Sequence, residues 1–576
     1  MIESQKQNKI ETIMRTLFSD KKKYLLPAIH FLLSFLYERC IFRFDSGRDI
    51  VLPIPRNNII SDTAERVLAY AISKLFAAVL IFFLWYLLFW IVENWKKKRN
   101  IRFFTVLFAV SLVIALLIWP LTFYASVDNY ITYSFARRFW PEYWHGAYTG
   151  FLYAALLMVV PNPVFIAVFQ LLFGFFVLGY LYNRIVDSPV LRGKGKYCVF
   201  LVFLIPRTYA LFTDPYRTEP YALLCMFAVS MTAMDVVDRR KRGKFSLVCN
   251  ILLCGFISVW RTEGIILGFL LFLVQLLFVY RYKPRKAFVS FLCLLLAFGA
   301  FLLPQKLGDI KYYGKDYYFI NSFNTLKNIF NHPDADLFYE KAQDDYEALE
   351  AVVPVELIRN YGMDGYRRYN YANGRNDINQ SLADDATASA YMRAYYRIVA
   401  HNLKIYAKTQ ISILLTAITV IPSRLNIPST EPPVHDLPSW TLQSWSIGEQ
   451  DYFSTLSFMT PLVNLESRQR FSASAWEAIG SFEDILQEIH FYSTVLILIP
   501  LFDIFLFFRE GIRFLKRKKN LFGLAGIAFL LLGQAAAIVL VMPATMIVYL
   551  HAYYYCSLIL CLIYANYLRC RKIQEI

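Results

Sequence analysis

The sequence predicts an all-α polytopic membrane protein with about twelve transmembrane helices, and three observations carry that prediction. Of the 576 residues, 57% are hydrophobic and 17% aromatic but only 18% charged, where soluble proteins carry about a quarter charged residues. Runs such as VLFAVSLVIALLIWPLTFY and IILGFLLFLVQLLFVY hold no charge and approach the roughly 20 residues that a helix needs to cross a bilayer. The net charge of +17 is also unevenly placed: residues 305–490 carry a net −7 and the remainder +24, mostly in short connections between apolar runs. That placement follows the positive-inside rule and argues against a nucleic-acid partner.

Taken in order, spans are expected near 24–41, 67–92, 102–125, 164–184, 197–212, 219–235, 245–259, 264–281, 287–303, 491–508, 521–542 and 546–568. The basic connections KKK (21–23), KKKRN (96–100), RGKGK (192–196), DRRKRGK (238–244) and RFLKRKKN (513–520) are then all cytoplasmic, with both termini. RYKPRK at 281–286 agrees with them. The polar N-terminus MIESQKQNKIETIMRTLFSDKKK does not read as a cleaved signal peptide. Two apolar stretches, GAYTGFLYAALLMVV (146–160) and YAKTQISILLTAITVIP (406–422), would break this parity as spans. The first is also too short to cross, at about 22 Å of helix. Both are expected as helices lying in the outer interface.

The chain divides accordingly. Residues 1–100 are an N-terminal cytoplasmic tail with two helices, and 101–303 are a seven-helix module whose first outer loop is 126–163. Residues 304–490 form a large extracytoplasmic region, and 491–576 a final set of three helices. The large region is too long for an ordinary connection, which marks a functional or separately folded piece. Stretches such as YGMDGYRRYNYANGRND are too aromatic and too mixed in charge for full disorder. The nine cysteines lie in or beside apolar segments and avoid 304–490, so packing is their expected role. Their absence from the outer loop fits a bacterial plasma membrane.

Polar residues collect on one side of this topology. Asp128 and Asn129 follow the third span; Asp214, Arg217 and Glu219 sit in TDPYRTEPYALL; Arg261 and Glu263 sit in SVWRTEGIILG. Ionisable groups at membrane depth are costly and mark functional sites. Asp128 is a candidate general base, and capping the helix that begins near Tyr130 is the alternative. Arg217 and Arg261 suit bidentate phosphate binding, with snorkelling to headgroups as the alternative for each. Glu219 and Glu263, two residues on from each arginine, are placed to orient them. His145, beside Trp140 and Trp144, either touches substrate or packs at the interface. The seven histidines are scattered singly, so no zinc site is expected, and a divalent cation is left open without being indicated. No phosphate-cradling or dinucleotide glycine motif occurs.

This arrangement resembles the integral-membrane glycosyltransferases of GT-C fold, which use lipid-phosphate-linked sugars. The similarity covers roughly residues 100–303: a span followed by an outer loop with an Asp (102–125 and Asp128), an interfacial helix (146–160), and six further spans (164–303). Arg261, Glu263 and Gly264 before IILGFLL, and Thr-Glu-Pro at 218–220, also resemble recurrent features of that family. The resemblance implies a GT-C-like core in which Asp128 deprotonates an acceptor hydroxyl while Arg217 or Arg261 holds the phosphate of a polyprenyl-phosphate sugar donor. The acceptor class (glycan, lipid or protein) is left open. A lipid-linked oligosaccharide polymerase or ligase would need the same groups. A twelve-helix transporter is disfavoured, since nine spans before the large region and three after it give no paired halves. A non-catalytic scaffold would need none of these groups.

Overall fold

The computed structural model describes residues 20–42, 62–118, 132–133, 135–139, 146–162, 164–191, 193–194, 196–198, 200, 208, 212, 217–240, 242–311, 316–361, 384–419, 466–489, 491–516, 521–541 and 550–575. Among them helix dominates and no strand occurs. The apolar runs form α1 (Asp20–Ile41), α2 (Asp62–Asn94), α3 (Arg99–Ile118), α4 (Ala147–Val159), α5 (Val164–Val186), α6 (Thr218–Val237), α7 (Lys244–Trp260), α8 (Gly264–Tyr280) and α9 (Pro284–Lys311). Near the C-terminus they form α16 (Phe491–Leu515), α17 (Phe522–Val541) and α18 (His551–Glu575). Among the described residues, five helices are long and apolar enough to cross a membrane: Thr63–Asn94, Val164–Val186, Thr218–Val237, Pro284–Lys306 and Phe522–Leu540. The span expected at 197–212 lies largely outside the described residues, as does the part of 102–125 beyond Ile118.

The span expected near 287–303 falls within α9, whose helix runs on through Pro304 to Lys311. Proline also sits inside α1 (Pro27) and α16 (Pro500). Apolar helices held by their neighbours tolerate the lost backbone donor.

The bundle has two distinct ends. At one, Lys23 pairs with Glu93 at 2.6 Å, Phe104 packs on Tyr182 with ring centroids 5.0 Å apart, and Asn250 donates to the Tyr280 hydroxyl at 2.7 Å. Gly523 lies against Val236 and Phe278 there. The described residues of the basic connections, 96–100, 238–240, 242–244, 281–286 and 513–516, therefore adjoin this end. Arg184 pairs with Asp235 at 2.8 Å, and Arg242 closes on the same carboxylate at 2.6 Å. The turn 238–243 is thereby folded back onto α5.

α6 is the axis. Its apolar window is 89% buried, against 11% for that of α9 at the periphery. α4 departs from expectation. An interfacial helix keeps one face for headgroups, but twelve of the thirteen residues of α4 are buried, packed chiefly on α2 and α1. The Ala147 N–H donates to Gln305 Oε1 at 2.7 Å, near the end of α9. At its other end the Val159 carbonyl accepts from His30 Nε2 at 2.7 Å. Trp85 Nε1–H donates to His30 Nδ1 at 3.1 Å, which places the imidazole proton on Nε2. With Tyr, Phe, Leu and Met on every side and no charge, α4 lacks the polar face that interfacial lodging requires, so α1 and α2 cover it.

Part of the region 304–490 has a core of its own. Helices α10 (Asp316–Phe330), α11 (Ala342–Glu350), α12 (Val355–Tyr361) and α13 (Asp385–His401) bury Phe323, Leu326, Ile329, Leu349, Val353, Tyr391 and Ile398 together. Arg397 Nε binds both oxygens of the fully buried Asp345 carboxylate, at 3.0 and 2.9 Å. The Tyr339 hydroxyl donates to the same group at 2.7 Å. Next comes α14 (Leu403–Thr419), the stretch expected at 406–422. It packs on α10 and α17 and leaves Leu403, Ile411 and Leu415 exposed. The last helix of this region, α15 (Glu466–Glu488), lies along α3.

Candidate functional site

Where α6, α8 and α18 begin, the two Arg-Thr-Glu turns of the sequence meet. Each turn follows a break in an apolar run, so its polar residues fall at a helix start, where unpaired backbone N–H groups favour anions. Arg217 immediately precedes α6, and Glu263 immediately precedes α8, neither with a side-chain capping hydrogen bond. Arg261 Nη1 donates to Thr218 Oγ1 at 2.7 Å, and its Nε–H pairs with Glu263 Oε1. The Trp260 indole N–H donates to the Arg217 carbonyl at 2.8 Å. Arg261, only 8% exposed, also sits over the Tyr221 ring, 6.0 Å from its centroid. A guanidinium gripped on several sides is held in one orientation.

Of the two expected arginine–carboxylate pairings, Glu263 with Arg261 forms. Glu219 does not serve Arg217 as its described ion-pair partner. Its Oε1 lies 3.5 Å from Nδ1 of His551, the first residue of α18. As the first residue after Thr218 on the buried axis helix, Glu219 faces α18, which packs along the length of α6. Tyr221, one turn in, accepts a hydrogen bond on its hydroxyl from Gln534 Nε2 of α17 at 3.1 Å. Gly146, at the start of α4, approaches the Trp260 carbonyl.

The described part of the first loop docks nearby. Phe139 stacks on Phe42 with centroids 4.4 Å apart and meets Tyr70 edge-on. Arg66 Nε donates to the Arg138 carbonyl at 3.0 Å. Asp128, Asn129, His145 and Asp214 lie outside the described residues.

His551, Tyr221 and Gln534 line this site without having been singled out in the sequence, and Thr218 was marked only as part of Thr-Glu-Pro. A signal existed for His551: it falls near the start of the last apolar run, on the side to which parity assigns Arg217 and Arg261. Asp503 was also passed over. It is fully buried in α16, and the Tyr553 hydroxyl donates to it at 3.2 Å. No group of three or more His, Cys, Asp or Glu side chains suited to a metal occurs among the described residues.

No family model, no curated protein and no solved structure matches the chain.

Proposed function

We propose that the protein is an integral-membrane glycosyltransferase that moves a sugar from a polyprenyl-phosphate donor, in its simplest form a single sugar on a single phosphate, to an acceptor on the extracytoplasmic face. The observation that carries this reading is the joining of the two Arg-Thr-Glu turns by the Arg261–Thr218 hydrogen bond. It sets Arg261 beside the residue that follows Arg217, at the end of the bundle away from the basic connections. In this reading a twelve-span, GT-C-like chain keeps its basic connections in the cytoplasm of a bacterium, and the site opens at the outer face.

The chemistry follows from the groups. Asp128 takes the proton of the acceptor hydroxyl, whose oxygen attacks the anomeric carbon of the donor. The bond from that carbon to the phosphate oxygen breaks, and the polyprenyl phosphate departs with the bonding electrons. Arg217 and Arg261 hold the charge that gathers on the phosphate, the form of assistance that dominates many enzymes. Glu263 and Thr218 keep Arg261 aimed, so that little reorganisation accompanies the reaction. Asn129 and Asp214 support Asp128 and Arg217, and the core formed by 316–405 offers a wall for the acceptor.

The test is release of sugar from membrane-extracted polyprenyl-phosphate donors by wild type and by Asp128→Asn, Arg217→Ala and Arg261→Ala. Transfer lost in Asp128→Asn with donor binding intact, and weakened donor binding in the arginine variants, is the expected result. Variants that turn over like an active wild type would overturn it. Turnover only with pyrophosphate-linked oligosaccharides would reassign the site to a polymerase or ligase.

A further inference from the structure

Helices α13 and α14 follow one another with only Asn402 between them, and their exposed residues keep one spacing across it. Asp385, Ser389 and Arg393 come first. Tyr396, Ala400, Leu403, Ala407, Ile411 and Leu415 follow, each three or four positions after the last. Steps of three and four hold a single helical face. That face changes character along its length: it is polar and charged up to Arg393, aromatic at Tyr396 and apolar beyond. Lys404 and Lys408 run along one edge of the apolar part and are exposed. The opposite side of α14 is already occupied, because Ile405 belongs to the core of 316–405 and Leu414 packs against the core of the bundle.

Two further observations set the level of this face. The Tyr406 hydroxyl donates to the Leu540 carbonyl, and Leu540 is the last residue of a helix fit to cross the membrane, at the end away from the basic connections. The apolar part of the face therefore starts where that helix stops. Phe338, 98% exposed, lies in a loop strapped to the same junction. The Asp336 N–H donates to Asn402 Oδ1 at 2.8 Å, and Asn402 Nδ2 donates back to the Asp336 carbonyl at 3.0 Å. Tyr339 stacks on His401 with centroids 4.1 Å apart.

We propose that this face is embedded in the lipid bilayer, so that the core of 316–405 rests on the membrane surface instead of standing free in water. Phe338, Leu403, Ile411 and Leu415 meet acyl chains. Tyr396 takes the headgroup level that amphipathic rings favour, and Lys404 and Lys408 reach lipid phosphates with their ammonium groups. Asp385, Ser389 and Arg393 stay in water. Contiguous apolar surface rimmed by polar residues marks a membrane or protein contact, and the charges decide between them. A two-fold contact through this face would set the lysines of one copy against those of the other, whereas phosphates neutralise them. The inference needs no catalytic assignment. Under the glycosyltransferase reading it would put the wall formed by 316–405 at the depth of a lipid-borne substrate.

The experiment uses full-length protein in nanodiscs of phosphatidylcholine and phosphatidylglycerol, with photoreactive p-benzoylphenylalanine placed singly at Phe338, Leu403, Ile411, Arg393 or Glu347. The last is an exposed residue of α11. Each protein is first checked for wild-type melting behaviour. After illumination, mass spectrometry should find phospholipid adducts at Phe338, Leu403 and Ile411 and none at Arg393 or Glu347. Adding Leu403→Asp, which puts a charge in the apolar stripe, should lower the adduct yield at Phe338. Adducts at Ile411 alone would confine the lipid contact to α14 and take the core of 316–405 off the membrane, overturning the proposal. Equal adducts at all five positions would remove the water boundary at Tyr396 and overturn it as well. Cross-linked dimers in place of lipid adducts would assign the face to a second copy, and no adduct at any position would leave it in water; either result refutes the embedding.

Discussion

Gly264 follows Glu263 directly, and its substitution tests whether the turn geometry makes the site. Gly264 and Gly268 lie one turn apart on the face of α8 that crosses α7. A Cβ at Gly264 would stand within 3.0 Å of the Ile257 carbonyl oxygen, and one at Gly268 would stand 2.5 Å from that of Cys254. Ordinary contact begins at 3.4 Å, so alanine at either position parts the two helices by about 0.9 Å or more. The Arg261–Thr218 hydrogen bond, at 2.7 Å, would lengthen to about 3.6 Å if the same shift reached it, beyond hydrogen-bonding range. Gly264→Ala therefore breaks the contact that joins the two turns. Alanine gains at most about 1 kcal/mol of helix propensity. Against this stand about 1–3 kcal/mol of overpacking and about 1.5–3 kcal/mol for a hydrogen bond to a charged group, so the net effect is a loss. The assay pairs the melting midpoint in detergent with affinity for polyprenyl phosphate, and Gly299→Ala is the control, because a Cβ there meets nothing within 4 Å. Both readouts should fall for Gly264→Ala and neither for Gly299→Ala. A Gly264→Ala protein that melts and binds like wild type would refute the close helix crossing as the device that sets Arg261.

Two further predictions concern the core of 316–405. Asp345→Ala strands the Tyr339 hydroxyl and the Arg397 guanidinium. Because the Arg397 side chain is 38% exposed, water offsets part of the loss, leaving a cost of about 1–3 kcal/mol; hydrogen exchange should quicken in α11 and α13, and unchanged protection counts against the pair. Asp384 caps α13 by accepting from Thr387 N and Oγ1 at 2.9 and 2.8 Å. Those Thr387 bonds, with the Ala386 N–H, hold its carboxyl below the usual carboxylate range. A depressed folded value means that the stabilisation is present above the unfolded pKa near 3.9 and lost as pH falls through the folded one. Asp384→Ala should accordingly speed exchange in α13 at pH 7 and make little difference at pH 2, and an equal effect at both would exclude the cap.

Much of the bundle was legible because an apolar run bounded by Lys and Arg has few options in a bilayer. Described parts of four basic turns lie at one end, and Arg261 pairs with Glu263. What stayed hidden depends on neighbours. α4 reads as a stray apolar stretch, and only the packing of α1 and α2 on it shows why it has no polar face. Glu219 reads as a partner for Arg217 because the two lie two residues apart in sequence. Its actual partner comes from a residue more than three hundred positions away, which spacing cannot reveal.

The C-terminal helices are a wall of the site rather than an addition to a complete module. α6 could not be buried to 89% by α5 and α7 alone. The face it turns away from them is covered by α18 and α17, which bring His551 to Glu219 and Gln534 to Tyr221. Buried polar groups of this kind need partners, so the identity of Glu219 and Tyr221 in the first half of the chain depends on residues supplied by the second. Removing 491–576 would expose the apolar face of α6 and leave Glu219 and Tyr221 without those contacts. The same dependence gives the large region between them a physical constraint. It must return the chain to the mouth of the bundle, and α14 does so by packing on α17, where the Tyr406 hydroxyl donates to the Leu540 carbonyl.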